Sequence, residues 1–523
     1  MSNNIVQVQV TQTIAPAPSI LQRTGAFVTA GGTNGAVGSL TLLTQLSDLT
    51  PILDSVNVIN AIIWNTGLVT VTSAQPHGIT VGDTKRFTIT GMAPTGYNGT
   101  FVATATGLTT FTYPVVVNPG ASTVIGTWFF VDVTELTQMA TTFFSQGNGV
   151  GVYVLELGPV SATAGVAILD TWLTANPDTV YSLLLPRSYV DSTPGLFSLI
   201  ARFEATTAKL NFFLTASLGS FANFSNLMSC VFLTVEAPAL GAYGSNSLTS
   251  ITWQNGISTA ITTLGHGVTP GQWITISGAA PGGYNGNFLT LPGTNVQTLV
   301  WAQPNNPGVM TTPGTLVGSA FSAPGIPAGE FTAAAAFYVT LNYQPSSTNL
   351  VTPTAFSYLS GVTPFPTRGR ASLMATLKAA NVNWVGTGAE GGISNTILFW
   401  GTMLDGRDFT YWYSVDWVQI NVEIDIANEI INGSNNPLAP LYYDQNGINR
   451  LKARAQGTMS RGVSYGLVLP PVIVNAVAFA DYVRVNISDY PKGIYNGLSV
   501  VYTPNRGFKA ILFNVNVTDF PAA

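Results

Sequence analysis

VGVYVLEL (Val150 to Leu157), VYSLLL (Val180 to Leu185) and LNFFL (Leu210 to Leu214) are three short apolar runs separated by stretches of helical periodicity. Runs that are apolar almost throughout suit strands covered on both faces, and strand, helix, strand, helix, strand over Val150 to Ser217 predicts a parallel sheet sandwiched by helices. The first helix, about Ala162 to Ala175, places Val166, Leu169 and Leu173 on one face and ends at Asn176-Pro177, because proline cannot continue it. In the second, Ser192 or Thr193 can cap, Pro194 suits the first turn, and Leu196, Leu199, Ile200 and Phe203 share a face. A helix from about Val133 to Ser145, with Leu136, Met139 and Phe143 inward, and a strand near Cys230 to Val235 flank this unit.

The 523 residues suffice for several domains, and 46% hydrophobic content supplies their cores. Charged residues make up only 8% of the chain, where an ordinary soluble chain has roughly 25%. A large surface so short of charge suggests a body packed against copies of itself. The net charge of −5 provides no field for nucleic acid. The lone Cys230 cannot form an internal disulfide and reads as a buried thiol. Met1 to Asn4 is polar, with no basic segment before an apolar one, so no export signal is expected. The longest apolar run, Ala333 to Val339, falls short of the ~20 residues that span a bilayer, so a soluble protein without membrane insertion, made in a reducing compartment, is expected.

Both chain ends read as strands. Ile5, Val6, Val8 and Val10 lie in IVQVQV, a period-two pattern followed by the proline-bearing Thr13 to Ser19, which keeps the chain extended. Ala510 to Val517 places Phe513, Val515 and Val517 on one side after Ile511. The two ends can pair within one molecule, or each can add a strand to a neighbour.

A duplication interrupts the α/β pattern. Gly78, Gly82, Gly91, Pro94, Tyr97-Asn98-Gly99, Phe101 and Asn118-Pro119-Gly120 recur as Gly267, Gly271, Gly278, Pro281, Tyr284-Asn285-Gly286, Phe288 and Asn306-Pro307-Gly308. Each copy is expected to be a small all-β module that projects from a loop of the core.

After Thr367 a second α/β unit is expected. It has a helix near Ala371 to Ala380, a strand at Asn383 to Val385, and a hairpin of Asn395 to Met403 with Asp408 to Tyr413 about Asp405-Gly406. A helix from Asp416 to Ile431 turns Trp417, Ile420, Ile424, Ala427 and Ile431 to one face. Another, Asp444 to Ser460, puts Ile448, Leu451, Ala455 and Met459 inward. Its Arg450, Lys452 and Arg454, with Arg461 just beyond, form either a solvated face or a surface for an acidic partner.

No catalytic constellation emerges. Gly386-Thr387-Gly388-Ala389-Glu390-Gly391 fits the dinucleotide fingerprint, but a strand rather than the required helix follows. Gly462-Val463-Ser464-Tyr465-Gly466 has the spacing of a nucleophile elbow, yet no histidine lies beyond His266 to serve as base. His77 and His266 occupy equivalent module positions without the further ligands a zinc site needs, and read as turn residues. No cofactor and no metal are expected, and an enzyme is not the expectation.

IVQVQV with its Ala-Pro follow-on, ARFEATTAKLNFFLTAS (Ala201 to Ser217), LKAANVNWVGTG (Leu377 to Gly388), DWVQINVEIDIANEII (Asp416 to Ile431) and PLYYDQNGINRLKARAQGTMSRGVSYG (Pro440 to Gly466) together resemble the contractile tail sheath proteins of long-tailed bacteriophages. The likeness covers nearly all of the chain except the two modules, which would be outward insertions.

The resemblance implies two sheath-type α/β domains with the duplicated β modules inserted and strand arms at both ends. The expected division is an arm over 1–22, a core domain from 23–54, 129–249 and 319–366, modules over 55–128 and 250–318, a C-terminal α/β domain over 367–507, and an arm over 508–523. It further implies six-fold rings of this chain stacked helically around a tail tube, arms that add strands to neighbours, contact with baseplate and tail terminator proteins, assembly in the host cytoplasm, and a place in the virion tail. Contraction would drive the tube through the host envelope without a nucleotide. The basic helix Asp444 to Ser460 is the candidate tube contact. An alternative is a tail or surface adhesin that binds glycans through the paired Gly-Tyr-Asn-Gly modules.

Overall fold

The computed structural model describes residues 21–115, 118–190, 195–204, 209–216, 221–224, 228–236, 246–262, 268, 273–295, 297–317, 330–366, 371–388 and 395–510. Of the expected arms only 21–22 and 508–510 are described; Ile5, Val6, Val8, Val10, Ile511, Phe513, Val515 and Val517 lie outside these residues, as do His266 and the proposed cap at Ser192 to Pro194. By internal packing the described chain divides into two compact units. One holds 23–343, 353–409 and 507–510, and the other holds 21–22, 344–352 and 410–506.

The first unit opens with β1 (Gly25–Thr29) and β2 (Leu40–Leu43), followed by β3 (Asn57–Asn65), β4 (Leu68–Ser73), β5 (Thr84–Thr90), β6 (Gly99–Ala105), β7 (Thr110–Pro114) and β8 (Thr127–Phe130). Helix and strand then alternate: α1 (Val131–Phe144), β9 (Val152–Glu156), α2 (Ala162–Ala175), β10 (Ser182–Leu184), α3 (Arg187–Val190), α4 (Leu196–Glu204), β11 (Asn211–Ala216) and β12 (Val231–Val235). A six-stranded sheet results, in the order β12-β11-β10-β1-β9-β2, parallel except for β2.

The central strand, β1, is one that the sequence reading missed. Its five residues are all buried, and alternation sends them to both faces. Ala26 and Val28 join a cluster with Val166 and Leu169 of α2 and Leu199 and Ile200 of α4. Phe27 faces the other way, 5.4 Å from the Phe143 ring of α1. Helix α2 has the expected limits, capped by Ser161, whose side chain accepts from the amide of Ala164.

Strands β3 to β8 close into a barrel in the order β3-β4-β7-β6-β5-β8. The second module, β13 (Asn246–Gln254), β14 (Ile257–Thr262), β15 (Trp273–Ser277), β16 (Gly286–Leu289), β17 (Thr298–Ala302) and β18 (Thr315–Val317), repeats that order as β16-β15-β18-β13-β14-β17. Among the described residues β16 and β17 are joined by the isolated bridge Thr290–Trp301. The recurring residues do matching work. Tyr97 donates to the Gly120 carbonyl at 2.7 Å and Tyr284 to that of Gly308 at 2.8 Å. Asn98 bonds both main-chain groups of Met92, and Asn285 those of Ala279. Gly99 and Gly286 hold φ of 147° and 148°, a region that excludes most side chains and explains the glycine in each Tyr-Asn-Gly.

The unit continues with α5 (Thr332–Leu341), α6 (Ala371–Ala379), β19 (Trp384–Thr387) and β20 (Thr396–Phe399). The apolar run at Ala333 to Val339 is a core helix buried nearly all round, and its Phe337 packs against the rings of Phe27, Phe143 and Phe213. Residues 371–388 and 395–409, expected in the C-terminal domain, pack in the core unit instead. The reason is a main-chain continuation of the sheet: Asn383 donates to the Leu233 carbonyl and accepts from Val235, both at 2.9 Å, and so covers the edge of β12. Conversely, 344–352 go with the second unit.

The expected hairpin is also corrected. The turn at Asp405-Gly406 forms, with Met403 donating to Arg407 at 2.8 Å. Past a single bridge between Thr402 and Asp408, however, the chain winds into α7 (Phe409–Asn435), and β20 pairs with β19.

The second unit comprises the rest of α7, then α8 (Gln445–Ser464), β21 (Val468–Ala476), α9 (Phe479–Val485) and β22 (Leu498–Pro504). Asp444 caps α8, its carboxylate accepting from Gly447 at 2.7 Å. Of the face expected for α7, Trp417 is buried, Ile420 and Ile424 are half-buried, and Ala427 and Ile431 are exposed. Toward its C-terminal end α7 instead buries Glu429 and Gly433, the latter against Leu441.

Candidate assembly interface

β21 and β22 form an antiparallel pair in which Val468 opposes Pro504, Ile473 opposes Val501 and Ala476 opposes Leu498. The register slips between Leu469 and Ile473, where Pro470 and Pro471 have no amide to donate. Among the described residues no third strand joins the pair. Alternation gives the sheet two faces. Val468 and Val474 are buried, and Val468 lies against Gly462 of α8, where a Cβ would come within 3.1 Å of the valine side chain. The other face shows Leu469, Ile473 and Val501 at 42%, 52% and 59% exposure, an apolar stripe open to solvent. A lone two-stranded sheet is marginal in water; in this pair α8 covers one face, and among the described residues no strand or helix covers the opposite face or the outer edges. These two strands escaped the sequence reading because the paired prolines broke the first, although Ser499, Val501 and Thr503 alternate cleanly with Leu498, Val500 and Tyr502.

α8 runs past the expected end at Ser460, so Arg461 lies on it with Arg450, Lys452 and Arg454, and these four basic positions prove to be mostly engaged with α7. Glu429 receives a fork: Arg450 Nε donates to Oε1 at 2.8 Å and Arg454 Nε to Oε2 at 2.6 Å. Asp425 accepts from Thr458 and from Arg461. Among the described residues Lys452 has no ion-pair partner. Burial alone would push the Glu429 carboxyl up, but the hydrogen bonds and charges of Arg454 and Arg450 outweigh it and hold the group below the usual carboxylate range.

Elsewhere charge serves as mortar. A cleft of about 680 Å³ lies where β5 and β6 meet α1. Lys85 of β5 crosses to Asp132 at 2.8 Å and donates to the Ala30 carbonyl at 2.6 Å, tying the first barrel to the core. Arg187 binds Glu236 through Nε and Nη2, Gln138 at 2.7 Å and the Glu330 carbonyl at 3.0 Å, and its amide donates to Glu135 at 2.9 Å. Glu135 is pushed up by burial, opposed by Arg187 and assisted by the like charges of Asp132 and Glu236. The charged side chains Lys85, Asp132, Glu135, Arg187 and Glu236 are all partnered, and they join the first barrel and α1 to the rest of the unit.

The motifs weighed for chemistry fall on structural positions. Ser464 ends α8 and donates to the Arg461 carbonyl at 2.9 Å. Gly386 and Thr387 close β19, residues 389–394 lie outside the described chain, and strand β20 comes next. His77 is buried in a turn, with Nδ1 accepting from Ile79 at 3.1 Å. Cys230 is free and buried, and burial together with the nearby Glu204 raises its thiol well above the ordinary value. Among the described residues no group of His, Cys, Asp and Glu is placed to hold a metal, and no helix is long and apolar enough to cross a membrane.

No protein-family model and no curated protein matches the chain. Three solved structures are similar to it in fold. A chain of the anti-feeding prophage baseplate is 11% identical, with a TM-score of 0.47 over 99% of this chain and 100% of that one. A chain of the contracted helical sheath of the same prophage is 10% identical, with a TM-score of 0.42 over the same shares. The sheath tail protein of Listeria innocua is 8% identical, with a TM-score of 0.37 over 92% of this chain and 94% of that one.

Proposed function

We propose that this chain is the sheath subunit of a contractile tail, assembling with copies of itself as stacked six-fold rings around a tail tube. The observation that carries the reading is the pair β21–β22, which among the described residues has two free edges and an open apolar stripe of Leu469, Ile473 and Val501, in a chain whose two ends both carry strand patterns. Strand addition to a free edge supplies affinity through main-chain hydrogen bonds, and alternate side chains then meet the stripe. The scarcity of charge fits a body that is tiled rather than dispersed. The sequence resemblance to phage sheath proteins points the same way.

In this reading the two β modules are outward insertions, and the arms reorient while keeping their pairing as the lattice shortens. Contraction needs no nucleotide, because free energy stored at assembly is released through new contacts between subunits. A tube contact through α8 draws on Lys452 and on exchange of the partners now held by Arg450, Arg454 and Arg461. Baseplate and tail terminator proteins would meet the two ends of the tube of subunits, in the virion tail after assembly in the host cytoplasm. Electron microscopy of the purified chain tests this: long hollow cylinders are expected, whereas a uniform population of monomers at concentrations that saturate assembly would contradict it.

A further inference from the structure

We propose that Asp408 and Lys509 act as positioning residues that fix the root of the C-terminal strand arm, so that residues 511–523 set out toward a neighbouring copy from a defined point. The inference rests on the sheath reading and adds to it the residues that hold one arm at its base. Asp408 is 4% exposed and Lys509 32% exposed, with Nζ 2.7 Å from the carboxylate. Lys509 also donates to the Gly406 carbonyl at 3.2 Å. In a chain with so few charges, a carboxylate this deeply buried is costly unless paired, and its lysine comes from the last described stretch of the chain.

The anchor itself is rigid. Leu404 donates to the Val231 carbonyl of β12 at 2.9 Å, and Asn381 donates to Leu404 at 2.8 Å, so the turn that carries Asp408 is tied to the edge of the parallel sheet. Phe409, the next residue, places its ring 5.8 Å from Phe213 and 6.3 Å from Phe232. Gly507 presses its backbone on Pro353, where a Cβ would sit 2.5 Å from the proline ring. Two contacts within three residues therefore seat the chain at the base of the arm. Pull on the arm is transmitted through Lys509 to the core sheet, which is what a tether loaded during contraction requires.

The test uses the full-length chain with trypsin as probe. In Asp408→Asn, Lys509 loses its charged partner, and cleavage after Lys509 is expected to rise about tenfold while the melting of the core stays put, since cutting follows the population of the released state. The same variant and Lys509→Met should both assemble poorly, and the exchange Asp408→Lys with Lys509→Asp should restore assembly. The inference is overturned if both single variants assemble like the natural chain and Lys509 is cut no faster, while deletion of Ala510 to Ala523 still blocks assembly. If that deletion assembles normally, the arm reading itself falls, and this inference with it.

Discussion

The two principal sheets of this chain solve the problem of their edges in opposite ways. The six-stranded sheet is complete: one edge strand, β2, is only four residues long, and the other, β12, is covered by the backbone of Asn383. Helices lie on both its faces, and Phe213 of β11 touches the rings of Phe232, Phe337 and Phe409. The pair β21–β22 has a helix on one face only and no strand on either outer edge among the described residues. The first sheet is closed off within its own unit, whereas on the proposed reading the second is finished by a strand from another chain. A protein that folds alone and assembles through strand exchange must contain both kinds.

Breaking the second sheet's completion should have the largest effect. Deletion of Met1 to Val10, or of Ala510 to Ala523, is expected to abolish polymerisation while leaving folded monomers with an unchanged melting profile, measured by electron microscopy and circular dichroism. Truncations that still form cylinders would remove the distinction between the two sheets. Damage to the first sheet should act on folding instead: Phe213→Ala removes a fully buried ring and is expected to cost about 3–5 kcal/mol in chemical denaturation.

A smaller effect is expected at the α7–α8 fork. Glu429→Gln should cost about 1–2 kcal/mol, kept modest because Arg454 stands 60% exposed. Since the folded protein holds the Glu429 carboxyl below its ordinary value, this contribution is present above the unfolded-state pKa and fades as pH falls through the folded one. The acid limb of a stability–pH profile should therefore flatten in Glu429→Gln. Least disturbed in the monomer should be Val501→Thr on the open stripe, within about 0.5 kcal/mol of the natural chain, yet with a reduced yield of polymer.

The same contrast explains what could be read from the residues alone. The core alternation was legible because each of its strands is apolar on both faces and its helices are capped and punctuated, as Ser161 and Pro177 punctuate α2. The Tyr-Asn-Gly turns were legible because a positive φ demands glycine at Gly99 and Gly286. β1 was not legible: a five-residue strand, separated by a whole inserted barrel from β9 and β10, the strands it pairs with, leaves no local alternation to trace, and its place at the sheet's centre is set by contacts far along the chain. The hairpin predicted at Asp405-Gly406 failed because a good turn does not dictate the conformation of the residues beyond it; Phe409 gains more by joining the aromatic stack at the start of α7. The basic helix was legible as a cluster, but the acids that engage it, Glu429 and Asp425, lie more than twenty residues upstream on another helix.

Amide hydrogen exchange along β21 and β22, in monomers and in assembled material, addresses the central claim most directly. Outward-facing amides of Val468 to Ala476 and Leu498 to Pro504 should exchange fast in the monomer and become protected on assembly, while amides of β1 and β11 stay protected in both. Equal protection of β21 and β22 in the two states would mean that the sheet is already finished within one subunit, and strand addition from a neighbour could not be what holds the assembly together.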